Sequence, residues 1–300
     1  MTATSYDALT GLLRDPDSSG ADLFAAAVEL RDSFVRAEHR IGLLPPDAPE
    51  VLVTGLERAG EAGVVDAWLE LGRLLTHGAA PWAPYPERDV DAAIEAYQAA
   101  DRAGSAAGAR GWIRAAYFAR SEAHATAAAT RLAELLAAEP GDPELLLLTG
   151  YTTHQGYGRP ADPAAAVRHH VMAAEGGSGD AAFELSVLYA TGSGVPADQE
   201  QSDSWTVRAA ELGSVRAMGN LGGMYATGRG VERDPATALG WYVKAADLGH
   251  AKSAYTAGVM CLIGDGGLPV DEDKAEMFFD RAEELGIAVD DNLAAMGITR

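Results

Sequence analysis

Shifted against itself by 36 residues, the chain repeats. Residues 181–214 and 217–250 share fifteen identical positions, among them Leu185/Leu221, Tyr189/Tyr225, Gly192/Gly228, Gly194/Gly230, Asp198/Asp234, Trp205/Trp241, Ala209/Ala245 and Gly213/Gly249. One step back recovers Gly156, Gly158, Asp162, Ala173 and Ala174. One step forward recovers Gly264 and then, after a one-residue slip, Phe278, Ala282, Leu285 and Gly286. Four consecutive units therefore follow one template. A unit this short cannot bury its apolar side alone, so each must be covered by the next, and the chain folds as a stack.

The template reads as helix, turn, helix, turn. In its third copy Leu221, Met224 and Tyr225 fall at helical spacing and form an apolar stripe. Gly222 stands beside that stripe, where a second helix can come close. Gly228 ends the first helix, because glycine takes the left-handed conformation that terminates helices. Asp234-Pro235 supplies an N-cap followed by proline at the first helical position. Ala238, Trp241, Ala245 and Leu248 then form the expected inward stripe of the second helix. The short turns require antiparallel neighbours. The fold expected is all-α: an α/α solenoid of helix-turn-helix repeats wound as a right-handed superhelix.

A fainter copy lies upstream. Trp68, Leu71, Gly72 and Leu75 open a helix, and Asp89, Ala93, Tyr97, Ala100 and Gly104 reproduce the spacing of the second helix. Here the loop between the two helices is longer by five residues: Leu75 to Asp89 is 14 steps, against 9 from Tyr225 to Asp234. Residues 107–139 read as another helical pair with Trp112, Ile113, Tyr117, Leu132, Leu135 and Leu136 as core. Residues 1–62 read as two or three amphipathic helices broken at Asp15-Pro16 and Pro45-Pro46. The expected organisation is an N-terminal helical segment (1–62), divergent repeats (63–142), the regular repeats (143–286) and a C-terminal capping helix (287–300).

These residues resemble a known family. The run Leu-Gly-x-x-Tyr, Gly-x-Gly-Val, Asp, Ala, Trp-Tyr and Lys-Ala-Ala-x-x-Gly, best seen from Leu221 to Gly249, resembles the Sel-one-like repeat (SLR) family, a branch of the tetratricopeptide-like solenoids. The resemblance covers about 143–286, and segment 131–148 is more similar to a tetratricopeptide repeat proper. It implies a fold and a class of work, the assembly of protein complexes, without naming a partner. Some secreted relatives staple each repeat with a disulfide and bind cell-wall-like ligands. This chain has a single cysteine, Cys261, which separates it from that branch.

Composition narrows the partners. With 23 Lys and Arg against 44 Asp and Glu, the formal charge is −21. Such a surface repels phosphate backbones and anionic membranes, and no basic stripe offsets it. Nucleic acid and membrane are not expected partners; a basic or neutral protein or peptide is. The N-terminus lacks a basic start followed by an apolar run, so no signal peptide is expected, and the strongest apolar run, Leu145–Leu148, is far too short to span a bilayer. A cytoplasmic location is expected.

Motifs that could carry chemistry resolve into structural roles. The Gly-x-Gly pairs Gly156/Gly158, Gly192/Gly194 and Gly228/Gly230 recur at the repeat period and lack both a third glycine and a Walker lysine, so they are turns. His154, His169 and His170 form the one histidine cluster. Adjacent helical residues point about 100° apart, so His169 and His170 do not chelate one ion, and His169 takes the slot of Trp205 and Trp241 as an expected core aromatic. Asp271-Glu272-Asp273 lacks the glycine and distal glutamate of a calcium loop and reads as a helix start. Cys261 stands in the slot of Tyr189 and Tyr225 and is expected buried and inert. No catalytic motif, metal set or cofactor fingerprint is present, so the expectation is a non-enzyme without cofactor.

The expected binding surface is the inner face of the first helices: Asp180, Glu184 and Val187, then Arg216, Asn220 and Gly223, then Lys252, Thr256 and Val259. These vary between repeats while the stripe does not. Drift of a neutral surface gives the same pattern. Trp82 and Tyr85 in the proline-rich loop Gly78–Arg88 are a second candidate, since an insertion in one repeat often lies on the binding side, though both rings can equally fold back onto the scaffold. The expected function is a scaffold or adaptor that cradles a partner or peptide in a concave groove. The alternatives are a regulatory protein that holds a small molecule or peptidoglycan-like fragment, and an enzyme with an unrecognised site in the N-terminal half.

Overall fold

In the computed structural model, residues 5–36, 45–77 and 88–298 are described. Among them lie sixteen α-helices and no strand. They divide into two compact units: residues up to Ala138 with Gly156–Pro160, and Glu139–Gln155 with Ala161 onward.

The first unit begins with α1 (Ser5–Arg14), α2 (Gly20–Arg36) and α3 (Ala48–Glu61). Leu9, Leu23, Ala27, Leu30, Leu52 and Leu56 bury their side chains at their common centre. The break at Asp15-Pro16 is an Asx turn, with the Asp17 N–H donating to Asp15 Oδ1 at 3.0 Å, and Ser19 caps the next helix by accepting from the Asp22 N–H at 3.1 Å. Then follow α4 (Val65–His77), α5 (Val90–Arg102), α6 (Ala106–Phe118) and α7 (Glu122–Ala138). Asp101 joins the last three: it accepts from Trp112 Nε1 at 3.0 Å and from Arg131 Nη2 at 2.7 Å. Trp112, Ile113, Tyr117, Leu132 and Leu135 are buried, and Leu136 is half-buried.

The second unit is the solenoid. Its helices α8 (Pro143–Gln155), α9 (Pro163–Glu175), α10 (Gly179–Thr191), α11 (Gln199–Glu211), α12 (Val215–Thr227), α13 (Pro235–Asp247), α14 (Ala251–Ile263) and α15 (Glu272–Glu284) each have 13 residues, and α16 (Val289–Ala295) follows. Each packs on the next in chain order.

One backbone bond explains the template's spacing. The N–H of the capping aspartate donates to the carbonyl of the tyrosine slot in the preceding helix: Asp198 to Tyr189, Asp234 to Tyr225 and Asp271 to Cys261, each at 2.9 Å. The carboxylate then caps the second helix, as Asp234 does by accepting from the Ala236 and Thr237 N–H groups. Those donors, with the Thr237 hydroxyl first, hold the Asp234 carboxyl below the usual range. Between these anchors Gly228 and Gly230 take φ of 78° and 69°, a region closed to most side chains. The slipped fourth repeat absorbs its extra residue in a short turn at Asp265–Gly267 and keeps the bond. The divergent copy keeps it too: the Asp89 N–H reaches the Leu75 carbonyl at 3.1 Å.

The joint between the paired helices is a small residue against a ring. A Cβ placed on Gly222 would lie 2.9 Å from the Tyr242 ring, and one on Gly258 2.5 Å from Phe279. Gly150 faces His170 in the same way, and Gly72 faces Tyr97. In the second repeat the slot holds Ser186 and the opposing position Thr206, both buried, so a larger residue on one side meets a smaller one on the other.

Three expectations about the second helices are corrected by this joint. The buried aromatic of the first regular repeat is His170, at 2% exposure, and not His169, which is half-buried. Trp205 and Trp241 are likewise half-buried, covered from outside by Arg208 and Lys244. Leu248 is 58% exposed because the helix has already ended there. The ring that enters the interior is one position after the tryptophan slot, where the helix faces the glycine of its partner.

Candidate functional site

Four first helices, α8, α10, α12 and α14, present the face on which binding was expected. Residues that touch across it lie 32 to 34 apart, a few short of the repeat, because each helix is offset along its neighbour. Tyr151 donates its hydroxyl to Glu184 Oε1 at 3.2 Å, and Arg216 Nη1 reaches the same oxygen at 3.2 Å. The Arg216 guanidinium also lies 4.2 Å from the centre of the Phe183 ring. Ser214 donates to Asp180 at 3.0 Å. Burial, and then the Glu184 charge, push the Tyr151 phenol well above its ordinary pKa. Two expected binding residues, Glu184 and Arg216, are thus engaged with this chain's own side chains. Val187 remains exposed, and Val259 is buried and leaves the candidate surface.

Further along the same face the side chains part. A recess of about 360 Å³ lies between α12 and α14, and Asn220, Lys252 and Thr256 of the expected set line it. Tyr242, Arg229, His250, Ser253 and Thr227 complete the wall, and Gly219 and Gly223 form its floor. The floor explains the place. One repeat earlier these two positions hold Phe183 and Val187, and one repeat later Tyr255 and Val259. Only in α12 are both glycine, and i, i+4 spacing puts them on one helix face. A Cβ at Gly223 would stand 3.4 Å from the Tyr242 hydroxyl, and one at Gly219 2.9 Å from His250.

The lining contains no carboxylate, in a chain of net charge −21. Thr227 and Thr256 donate their hydroxyls back to the Gly223 and Lys252 carbonyls at 2.7 and 2.8 Å. Ser253 pairs with His250 Nδ1 at 2.7 Å. Burial, and next the Lys252 charge, lower the His250 pKa, so its ring is neutral at pH 7. Arg229 lies 3.7 Å from Asp203. Asn220, Lys252 and the Tyr242 hydroxyl have no hydrogen-bond or ion-pair partner among the described residues. Tyr242 and Arg229 went unseen as site residues in the sequence. The Gly219/Gly223 substitution within the repeat alignment was the signal that could have found them.

A second recess, about 660 Å³, opens on the second helices α13 and α15. Asp247, Asp273, Glu276, Asp280 and Glu284 line it with the half-exposed Met277, and Arg281 pairs with Glu284 at 2.9 Å. Trp82 and Tyr85 lie outside the described residues. Among the described residues no group of three or more His, Cys, Asp or Glu side chains is placed to hold a metal ion, and no helix is long and apolar enough to cross a membrane. Cys261 is buried, and burial, with Asp271 behind it, raises its thiol pKa.

Fold and face together define an α/α repeat solenoid with a polar recess on its first-helix side. Residues 143–178, 179–214, 215–250 and 251–287 each match the Sel1 repeat; this run belongs to the Sel1 repeat family, whose members generally mediate protein–protein interaction. The chain is similar in structure to a Sel1 repeat protein from Oxalobacter formigenes, with 26% identity, a TM-score of 0.59 and coverage of 97% of this chain and 86% of that one. It is also similar to a protective antigen of uropathogenic Escherichia coli that displays an SLR fold, at 23% identity and a TM-score of 0.51 over 96% of this chain and 67% of the other, a likeness of fold alone. No curated protein matches the chain.

Proposed function

We propose that the protein is a non-catalytic interaction scaffold that receives an extended segment of a partner protein on the first-helix face of its Sel1 repeats, anchored in the recess between α12 and α14. The observation that carries this reading is the recess floor, two glycines where the flanking repeats have Phe183 and Val187 or Tyr255 and Val259, beneath three polar groups without partners. At about 360 Å³ the recess is near the small end of ligand sites. It suits one or two side chains of a peptide better than a whole cofactor. A few such anchors carry most of the affinity of a peptide interface. The single unpaired cysteine favours a cytoplasmic setting for this work, which cell fractionation tests.

The experiment is affinity capture with the wild type, Gly223→Val and Asn220→Trp. Gly223→Val restores the side chain that the neighbouring repeats carry, so it fills the recess without threatening the helix. Partners captured by the wild type should be lost by both variants, with circular dichroism unchanged. An identical partner set across all three proteins overturns the assignment of the recess.

A further inference from the structure

We infer that the recess between α12 and α14 recognises a carboxylate, an Asp or Glu side chain of the bound segment, held by Lys252, Asn220 and Tyr242. The inference rests on the scaffold reading above and specifies the chemistry of its anchor. Three observations converge on it. First, the groups left without partners are an ammonium, an amide and a phenolic hydroxyl, all of which can donate hydrogen bonds. The hydroxyls that would serve as competing donors are already engaged, Thr227 and Thr256 with backbone carbonyls and Ser253 with His250. Second, no Asp or Glu lines the recess, although acids outnumber bases in the chain by 44 to 23. Third, the one formal positive charge of the lining without an acidic neighbour is that of Lys252, because Arg229 lies by Asp203 and His250 is neutral. One charge with two neutral donors matches a singly charged carboxylate. A phosphoryl monoester carries closer to two charges at neutral pH and would leave one uncompensated in a strongly acidic molecule.

The whole-chain charge and the recess act over different ranges. Net charge steers partners over about one Debye length, roughly 8–10 Å in ordinary salt, and favours a neutral or basic partner. A contact in the recess is a matter of hydrogen-bond distance, where charge-assisted bonds are strong. The partner expected is neutral or basic overall, with an acidic residue in the segment that docks.

The test is a chemical-shift titration of the 15N-labelled full chain with three probes: the capped tripeptide Gly-Glu-Gly, its Gly-Gln-Gly analogue, and inorganic phosphate. The Glu peptide should move the Asn220 side-chain amide and the Lys252 and Thr256 backbone signals saturably, and the Gln peptide should not. Lys252→Met should weaken the Glu response about tenfold or more, and Tyr242→Phe roughly tenfold to a hundredfold, as loss of a hydrogen bond to a charged group does. Phe279 fills the equivalent slot of the next repeat, so Tyr242→Phe keeps the fold. Equal responses to the Glu and Gln peptides, or no response to either, overturn the carboxylate assignment. Phosphate saturating the same signals at lower concentration overturns it in favour of a dianion. None of these results touches the scaffold reading, which falls only if Gly223→Val and Asn220→Trp capture the same partners as the wild type.

Discussion

One template builds two very different stretches of the first-helix face. From α8 to α12, Tyr151, Glu184, Arg216 and Phe183 close on one another in a ladder of hydrogen bonds and ring contacts. From α12 to α14, Asn220, Lys252 and Tyr242 stand around a recess without partners among the described residues. The difference lies in what occupies the two positions four apart in the middle of the first helix. Phe183 supplies a platform for Arg216, and Val187 stays exposed beside it, whereas Gly219 and Gly223 supply nothing and leave a hollow. In a repeat protein, a recess opens where the template is locally broken, and variation by itself marks no site.

The largest test of this contrast is acid. His170 supports the closed stretch: its ring meets Tyr151 edge-on at 5.5 Å. Burial, followed by repulsion from His154 and His169, lowers its pKa to about 4. In the unfolded chain it titrates near 6.5. Between these values the unfolded state binds the extra proton, so stability is complete above about pH 6.5 and falls as the pH drops toward 4. The loss attributable to this residue is up to about 3 kcal/mol. Urea unfolding at pH 7.5 and pH 4.5 measures it, with His170→Phe, the residue type of the fourth repeat, as the reference that lacks this component. A wild type and variant that lose equal stability on acidification would remove His170 as the cause. Hydrogen exchange should show α8–α10 opening first, because His250, the histidine beside Tyr242, is only half-buried where His170 is buried.

Next in size is the joint beneath the open stretch. Gly222→Val forces carbon against the Tyr242 ring, 2.9 Å from the added Cβ, and should cost about 1–3 kcal/mol in a thermal or urea melt. It should also displace Tyr242 and weaken the Glu-peptide response. Ser186→Val at the equivalent position faces Thr206, a smaller neighbour, and should cost less than Gly222→Val. Equal costs would show that the two joints are packed alike and that the contrast between them is only apparent.

Much of this was legible beforehand, and the exceptions share a cause. The caps, the Gly-x-Gly turns and the close helix approach at Gly222 depend on residues within one unit, which periodicity displays directly, although the ring that fills that approach, Tyr242, was not read from it. The pairings across units were not legible. Comparison at a shift of 36 aligns equivalents, whereas Glu184 touches Arg216 32 residues on and Tyr151 33 residues back. Those offsets depend on how far one helix slides along the next, which no pattern of residue types records. The exchange of His169 for His170 has a related origin: half-exposed tryptophans at the preceding slot imitate a core position because their size suggests burial, while Arg208 and Lys244 lie over their outer faces.

Opening and closing the hollow should have opposite consequences for stability and binding. Gly223→Ala removes the entropic cost of glycine within a helix and should stabilise the protein by up to about 1 kcal/mol. The new Cβ makes an ordinary contact with the Tyr242 hydroxyl at 3.4 Å. The same methyl narrows the recess, so the Glu-peptide response should weaken while the melting temperature rises. A variant that is more stable and binds as well as the wild type would mean that the floor at Gly223 has no part in recognition.

The smallest effect on recognition is expected where the face looks most elaborate. Arg216 is 61% exposed, and its bond to Glu184 is a surface ion pair, a kind worth roughly 0.2–1 kcal/mol. Stacking on Phe183 adds an amount of similar size. Arg216→Ala should therefore lower stability by about 1 kcal/mol or somewhat more, and it leaves Glu184 with the Tyr151 hydroxyl as a partner. Because the ladder is a separate stretch of the face, the Glu-peptide titration at Lys252 should be unchanged within error. A clear fall in that affinity would show that the closed and open stretches are energetically one surface, since Arg216 and Asn220 share α12 and a shift of that helix would reach both.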